Sequence, residues 1–307
     1  LAIASGCSGN DPQAREAGAG AVRQFSGKYP IKVVCTIGQV AEMVNRIGGD
    51  HVQVDALMGP GVDPHLYSPV TGDVRKLAAA DAIFYSGLHL EGRMVEMFEE
   101  LAHSKATFAV TSGLVSRGDN RLRMPKPGLY DPHVWHDPLL WSDCVDDVAL
   151  MLAKFDPTHA AEYEQNAATY RAEITALDKE CRDELAAIPK ERRVLVTAHD
   201  AFEYFGARYD IEVFGLKGIS TEDEKDLKQQ EAIQKMLVER RIPAVFVESA
   251  VAPRTVKALV EPAQAAGLDL KIGGELYADA LGPADSDAAT YEGMIRHNVR
   301  TIAEALR

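Results

Sequence analysis

The sequence predicts an α/β fold of two lobes, each a mainly parallel sheet flanked by helices, bridged by one long rigid helix. Three observations carry this expectation. Short β-branched runs alternate with amphipathic stretches near the start of the chain, which is the arithmetic of βαβ units. A central segment, 156 to 188, contains no Gly and a single Pro, Pro157. After it the alternation of strand and helix resumes. The chain has 307 residues, enough for two separate cores.

The elements follow in order. Leu1-Ala2-Ile3-Ala4-Ser5-Gly6-Cys7 is a short apolar stretch ending in small residues and a cysteine. It looks like the tail of a bacterial lipoprotein signal, with Cys7 as the residue that would carry the lipid. Residues 8–29 are rich in Gly, Ala and charge, and read as a flexible tether. The first lobe is expected over 30–155. Ile31–Cys35 reads as a strand and is followed by a helix through Val40, Met43 and Ile47. Val52–Leu57 alternates like a strand and ends in the turn Gly59-Pro60-Gly61. A helix over Val74–Ala80, a strand at Ala82–Tyr85, a helix over Glu91–Leu101 and a strand at Thr107–Val110 complete the pattern.

The linking helix is expected over 156–189. Asp156 suits an N-cap and Pro157 the first helical position. Ala160, Tyr163, Ala167, Tyr170, Ile174, Leu177, Cys181, Leu185 and Ile188 recur every three or four residues, a one-sided stripe. A helix of about 33 residues spans about 50 Å, too long for an ordinary crossover. The second lobe, 190–307, shows strands at Val194–Thr197, Ile211–Phe214, Ala244–Val247 and Leu268–Ile272. The stretch from Val54 to Ser86 faintly resembles that from Val213 to Ser249. Each has strand, Gly turn, polar helix and strand.

Bulk properties narrow the function. A formal charge of −13 disfavours nucleic acid, whose phosphates need clustered Lys and Arg. Cys35, Cys144 and Cys181 form no Cys-x-x-Cys pair, which argues against a zinc-thiolate site and a disulfide framework. No segment approaches the length of a membrane span, so the expected membrane link is the lipid at Cys7 alone. A monomer is expected.

The chemistry lies in the histidines. Asp-Pro-His occurs twice, as Asp63-Pro64-His65 and Asp131-Pro132-His133, and His199 follows the strand Val194–Thr197. His65 and His199 lie just past hydrophobic runs, where α/β folds place ligands. A neutral imidazole is the commonest metal ligand, so three such sites suggest one shared ion, with Asp279 as fourth donor. Two ligands come from each half, which places the ion in the cleft between the lobes. Four protein donors leave little room for an activated water, and there is no His-Glu-x-x-His signature, so the set favours holding an ion over catalysis. His136, three residues after His133, reads as a near-surface residue, with alternative donor as the second reading, and Glu248 and Glu203 are rival carboxylates. His89 reads as structural. His51, His103, His159 and His297 have no supporting context.

Four blocks together resemble the metal-specific solute-binding proteins of bacterial ABC importers, the TroA-like zinc/manganese receptors. They are Met58–Tyr67, Asp131–Trp135, Val194–Phe202 and Ile272–Ala280, in family order. The resemblance covers the chain from about residue 31 onward. It implies two α/β lobes on one long helix, with His65, His133, His199 and Asp279 matching the family's four ligands. It also implies one divalent ion carried as transported ligand, delivery to an ABC permease driven by an ATPase, and an extracytoplasmic location in the periplasm or on the outer face of the membrane. The family's zinc-dedicated members often carry a His-rich loop before the second His ligand, but Arg117 to Tyr130 here contains no His. Its manganese members often have a carboxylate in place of His199. Zinc is therefore expected to bind in vitro, with manganese or iron as alternatives in the cell. Readings from other classes are a zinc hydrolase using Glu203 or Glu248 as base, and a surface adhesin.

Overall fold

The computed structural model describes residues 24–307, apart from Asp226 and the side chain of Leu227. Cys7 and most of the expected tether lie outside the described residues. The elements run β1 Ile31–Cys35, α1 Gly38–Gly48, β2 Val52–Ala56, α2 Thr71–Ala79, β3 Ala82–Tyr85, α3 Val95–Ala102, β4 Ala106–Ala109 and α4 Ser112–Ser116. The middle holds α5 Pro138–Phe155 and α6 Ala160–Leu185. Then come β5 Val194–Thr197, α7 Glu203–Tyr209, β6 Glu212–Gly215, α8 Leu227–Arg240, β7 Ala244–Glu248, α9 Arg254–Ala265, β8 Lys271–Leu276 and α10 Tyr291–Leu306. No helix among the described residues is long and apolar enough to cross a membrane.

The first lobe is a parallel sheet in the order β2-β1-β3-β4. Its central strand β1 is buried at every position but Lys32, as a strand covered on both faces requires. The second lobe has the parallel pairs β5-β6 and β7-β8, with β5 lying against β7. Reading across gives β6-β5-β7-β8, the counterpart of β2-β1-β3-β4. The faint likeness between the halves of the sequence is therefore a topological repeat.

The expected long helix is present but shorter. Residues Pro157–His159 form a 3-10 turn, and α6 runs 26 residues, about 39 Å. Asp156 does not cap it by side chain. Its carboxylate instead accepts hydrogen bonds from Tyr29 Oη (2.8 Å), His159 Nδ1 (2.7 Å) and Tyr163 Oη (2.7 Å). At the other end a turn follows Leu185, with Ile188 N bonded to Leu185 O at 3.1 Å. The apolar stripe from Tyr163 to Leu185 is buried against α5, α1 and α10, so the helix touches both lobes.

No element is expected from the sequence over 138–155, where the structure has α5. The signals were present. Asp137 accepts from Leu139 N (2.9 Å) and Leu140 N (3.3 Å), Pro138 opens the helix, and Trp141, Cys144, Val145, Val148 and Leu152 form its buried face. The last strand also differs: it is expected over Leu268–Ile272, but β8 begins at Lys271 and runs on through Gly273 and Gly274 to Leu276. A bulge opposite Val245 and Phe246 absorbs the extra residue, and Gly274 takes φ 150°. A Cβ on Gly273 would come within 2.7 Å of Ala305 and Phe246, so the glycine admits α10 close to the strand.

Polar contacts also cross between the lobes. Glu42 on α1 accepts from the backbone N of Tyr291 at the start of α10, and Arg46 reaches Glu292 at 3.3 Å while lying over the Tyr170 ring of α6. Burial, then the neighbouring Glu292 carboxylate, pushes Glu42 up to about 8.

Candidate metal centre

Each candidate ligand is held by a short connection that stops its backbone from drifting. In both Asp-Pro-His motifs the Asp side chain turns back onto the His backbone. Asp63 Oδ1 accepts from His65 N at 2.9 Å, and Asp131 Oδ1 accepts from His133 N at 3.0 Å. The Pro between them stiffens that turn. Asp131 Oδ1 also takes the His133 Nδ1 proton at 2.7 Å, and Tyr204 Oη fixes the Asp131 carbonyl at 2.9 Å. His199 leaves the end of β5, where Glu248 at the end of β7 accepts from its backbone N (3.0 Å) and its Nδ1 (2.5 Å). Asp279 follows β8. The carbonyl of the preceding Ala278 accepts from Trp135 Nε1 (2.8 Å) and His136 Nε2 (3.0 Å).

These connections bring the four candidates to one point. Their ligand atoms all lie within 4.8 Å of one another. His133 Nε2 is 3.2 Å from His65 Nε2 and 3.4 Å from His199 Nε2. Asp279 lies 3.3 Å from both His133 and His199, and 3.8 Å from His65. Donors 2.0–2.1 Å from a tetrahedral ion would sit about 3.3 Å apart. His133, His199 and Asp279 are fully buried, and His65 is 6% exposed. With Nδ1 of His133 and His199 engaged by carboxylates, Nε2 is the nitrogen each offers inward, the usual outer support of a metal-bound imidazole.

The charges are strongly coupled. Burial opposes ionisation of Asp279, but the charge of His199 and contacts with His133 and His199 hold it well below the usual carboxylate range. Burial would lower His199, yet the Glu248 and Asp279 carboxylates drive it well above its ordinary value. His133 moves the same way: burial opposes, and Asp131 and Asp279 prevail. For His65 burial wins over Asp279, and its value falls to about 3. No well-formed hydrogen bond reaches either Asp279 oxygen, although both are buried. Such a carboxylate is costly without a cation.

The remaining sequence candidates fall outside this point. His136 is not near the surface but fully buried: it packs on Phe202 and donates to Ala278, so it positions the Asp279 backbone and is not one of the four converging donors. Burial pushes it down to about 3, which keeps it neutral. Glu248 supports His199 from behind and does not compete with Asp279. Glu203 faces Arg123 at 3.5 Å. His89 sits exposed in a turn at φ 67°. What the sequence analysis lacked was the support: Asp131 stood in the repeated motif, but only the fold shows that it reaches the ring.

The site also joins the lobes. Asp63 Oδ2 accepts from Thr221 Oγ1 of the second lobe at 2.6 Å, beside an ion pair between Arg93 and Glu222. Tyr291 Oη donates to the Trp135 carbonyl at 2.8 Å.

Residues 33–305 match the family model described as ZnuA, zinc-uptake complex component A, periplasmic. The chain belongs to this family. The family is one of receptors, not enzymes. Among its relatives, the manganese-binding lipoprotein MntA of Bacillus subtilis is 44% identical over 92% of both chains. The zinc-binding protein TroA of Treponema pallidum is 43% identical over 89% of this chain and 88% of its own. The solved structure of that zinc-binding TroA superposes with a TM-score of 0.85 at 42% identity, covering 91% of this chain and 99% of the other. The ZnuA-family architecture of two α/β lobes on a long helix is the one described above.

Proposed function

We propose that the protein captures one divalent transition-metal ion from outside the cytoplasm and hands it to an ABC permease driven by an ATPase. His65, His133, His199 and Asp279 are the ligands in this reading. The 30–155 and 190–307 lobes each supply two of them, and the segment 156–189 links the lobes. The single observation that carries it is the buried Asp279 carboxylate, without a good hydrogen bond and facing three imidazole nitrogens. The cargo is zinc or manganese. Three imidazoles and one carboxylate suit zinc, and zinc binds more tightly than manganese at most mixed N/O sites. One relative is named for manganese and another for zinc. The protein works as a monomer, with Cys7 as its lipid anchor. The relatives named lipoproteins support the anchor.

A hydrolase is disfavoured by the same geometry. The four donors fill a tetrahedron, Glu248 is engaged by His199, and Glu203 faces Arg123. The test is native mass spectrometry with elemental analysis on protein purified without added metal, then on His65→Ala and His199→Ala. One ion per wild-type chain and almost none in either variant is the expected result. A full equivalent retained by both variants overturns the assignment.

A further inference from the structure

Outside the cleft, a second group of donors lies at the start of the long helix. His51 ends the 3-10 turn after α1, His159 ends the 3-10 turn before α6, and Glu162 stands in the first turn of α6. Ligand atoms of the three lie within 4.8 Å of one another. The two imidazoles stack with centroids 3.7 Å apart and planes at 20°. His51 Nε2 is 2.8 Å from Glu162 Oε2. His159 Nδ1 donates to Asp156, a carboxylate already tied to Tyr29 and Tyr163. That bond leaves the His159 Nε2 lone pair open, the same support that Asp131 gives His133. The Tyr29 ring meets His159 edge-on at 4.8 Å and narrows the freedom of the pair.

We propose that His51, His159 and Glu162 form a second, exterior site for a divalent cation of the zinc class. The donor chemistry selects the ion. Two imidazoles and one carboxylate suit Zn2+, Ni2+ or Cu2+, whereas Mn2+ and Ca2+ prefer oxygen. The two rings already lie together beside Glu162, so binding asks only that the stack open until the in-plane lone pairs converge on the ion. Among the described residues the cluster has three donors, and Glu162 is exposed. Water therefore completes the shell, and the ion is held more weakly and exchanges faster than one in the cleft. Among the described residues no hydrogen bond or ion pair joins these three side chains to His65, His133, His199 or Asp279, so the site is expected to fill or empty with the cleft occupied or vacant.

Zn2+ is titrated by calorimetry into the His65→Ala/His199→Ala variant, where the cleft is disabled, and into wild type already loaded with one equivalent. Both should take up one further, weaker equivalent. Adding His51→Ala or His159→Ala should remove it while leaving the cleft of wild type intact. Asp156→Asn should weaken it about 10- to 100-fold. Mn2+ should give no second equivalent. Saturation of wild type at one Zn2+, or a second equivalent that survives His51→Ala and His159→Ala, overturns the proposal.

Discussion

Glu248 grips His199 at two points, accepting from its backbone N at 3.0 Å and from its Nδ1 at 2.5 Å. The carboxylate thus sets both the position of the ligand and the nitrogen it presents. Glu248→Gln keeps the shape but cannot anchor Nδ1–H with a full charge. Metal affinity should fall about 10- to 100-fold, measured by competition with a chelator of known affinity. An unchanged affinity would mean that Glu248 only fills space.

Metal binding should expel protons. A bound ion needs neutral Nε2 atoms, while His199 and His133 have values raised above the ordinary one in the metal-free protein. Near neutral pH at least part of a proton should leave with each ion, and affinity should rise from pH 6 to pH 8. Calorimetry in buffers of different ionisation enthalpy measures this directly; a buffer-independent heat would contradict it. Stability follows the same linkage. A histidine with a raised folded value stabilises fully below its unfolded value, near 6.5, and loses that contribution as pH climbs through the folded one. The metal-free melting temperature should therefore lose this contribution on the alkaline side, and the gain on adding metal should widen.

The Asp63–Thr221 bond closes the cleft beside His65. Thr221→Val removes the donor at nearly constant volume. The metal dissociation rate, followed by stopped-flow with an excess of chelator, should rise several-fold. The melting temperature of the metal-free protein should move only slightly, because one part-buried hydrogen bond contributes about 1 kcal/mol. An unaltered off-rate would rule out a role for this bond in retention.

Glu42 predicts a pH effect far from the metal. Its folded value of about 8, raised by burial and Glu292, exceeds the unfolded value near 4.5. The folded protein therefore holds a proton there that the unfolded chain gives up, and stability declines as pH rises from about 4.5 to about 8. Glu42→Gln keeps the acceptor for Tyr291 N and removes the titration. It should melt higher than wild type at pH 8 and alike at pH 4. Parallel melting curves across that range would show that Glu42 carries no such proton.

Much of the proposed centre was legible because the candidate ligands sit in stiff, local motifs. The two Asp-Pro-His turns and the strand before His199 are short-range features, so the positions of these residues are marked locally. The supporting shell was not legible in the same way. Glu248 lies 49 residues from His199, and its role depends on β5 lying against β7. His136 looked like a donor because it follows His133 by three residues, but its ring turns toward Ala278. Boundaries slipped where tertiary contact carried a strand past its expected end, as at Gly273 and Gly274. Asp156 had the right type for a cap, yet three side-chain donors claimed its carboxylate first. The pairing of His51 with His159 escaped notice because 108 residues of chain separate two otherwise ordinary positions.

Helix α6 lies between α1 of one lobe and α10 of the other. Both halves of the molecule therefore lean on a single stiff spine. A spine packed along both halves resists bending between them. In the proposed receptor, release would then turn on small fastenings at the rim, such as the Asp63–Thr221 bond, since a wide swing of the halves would have to bend the spine.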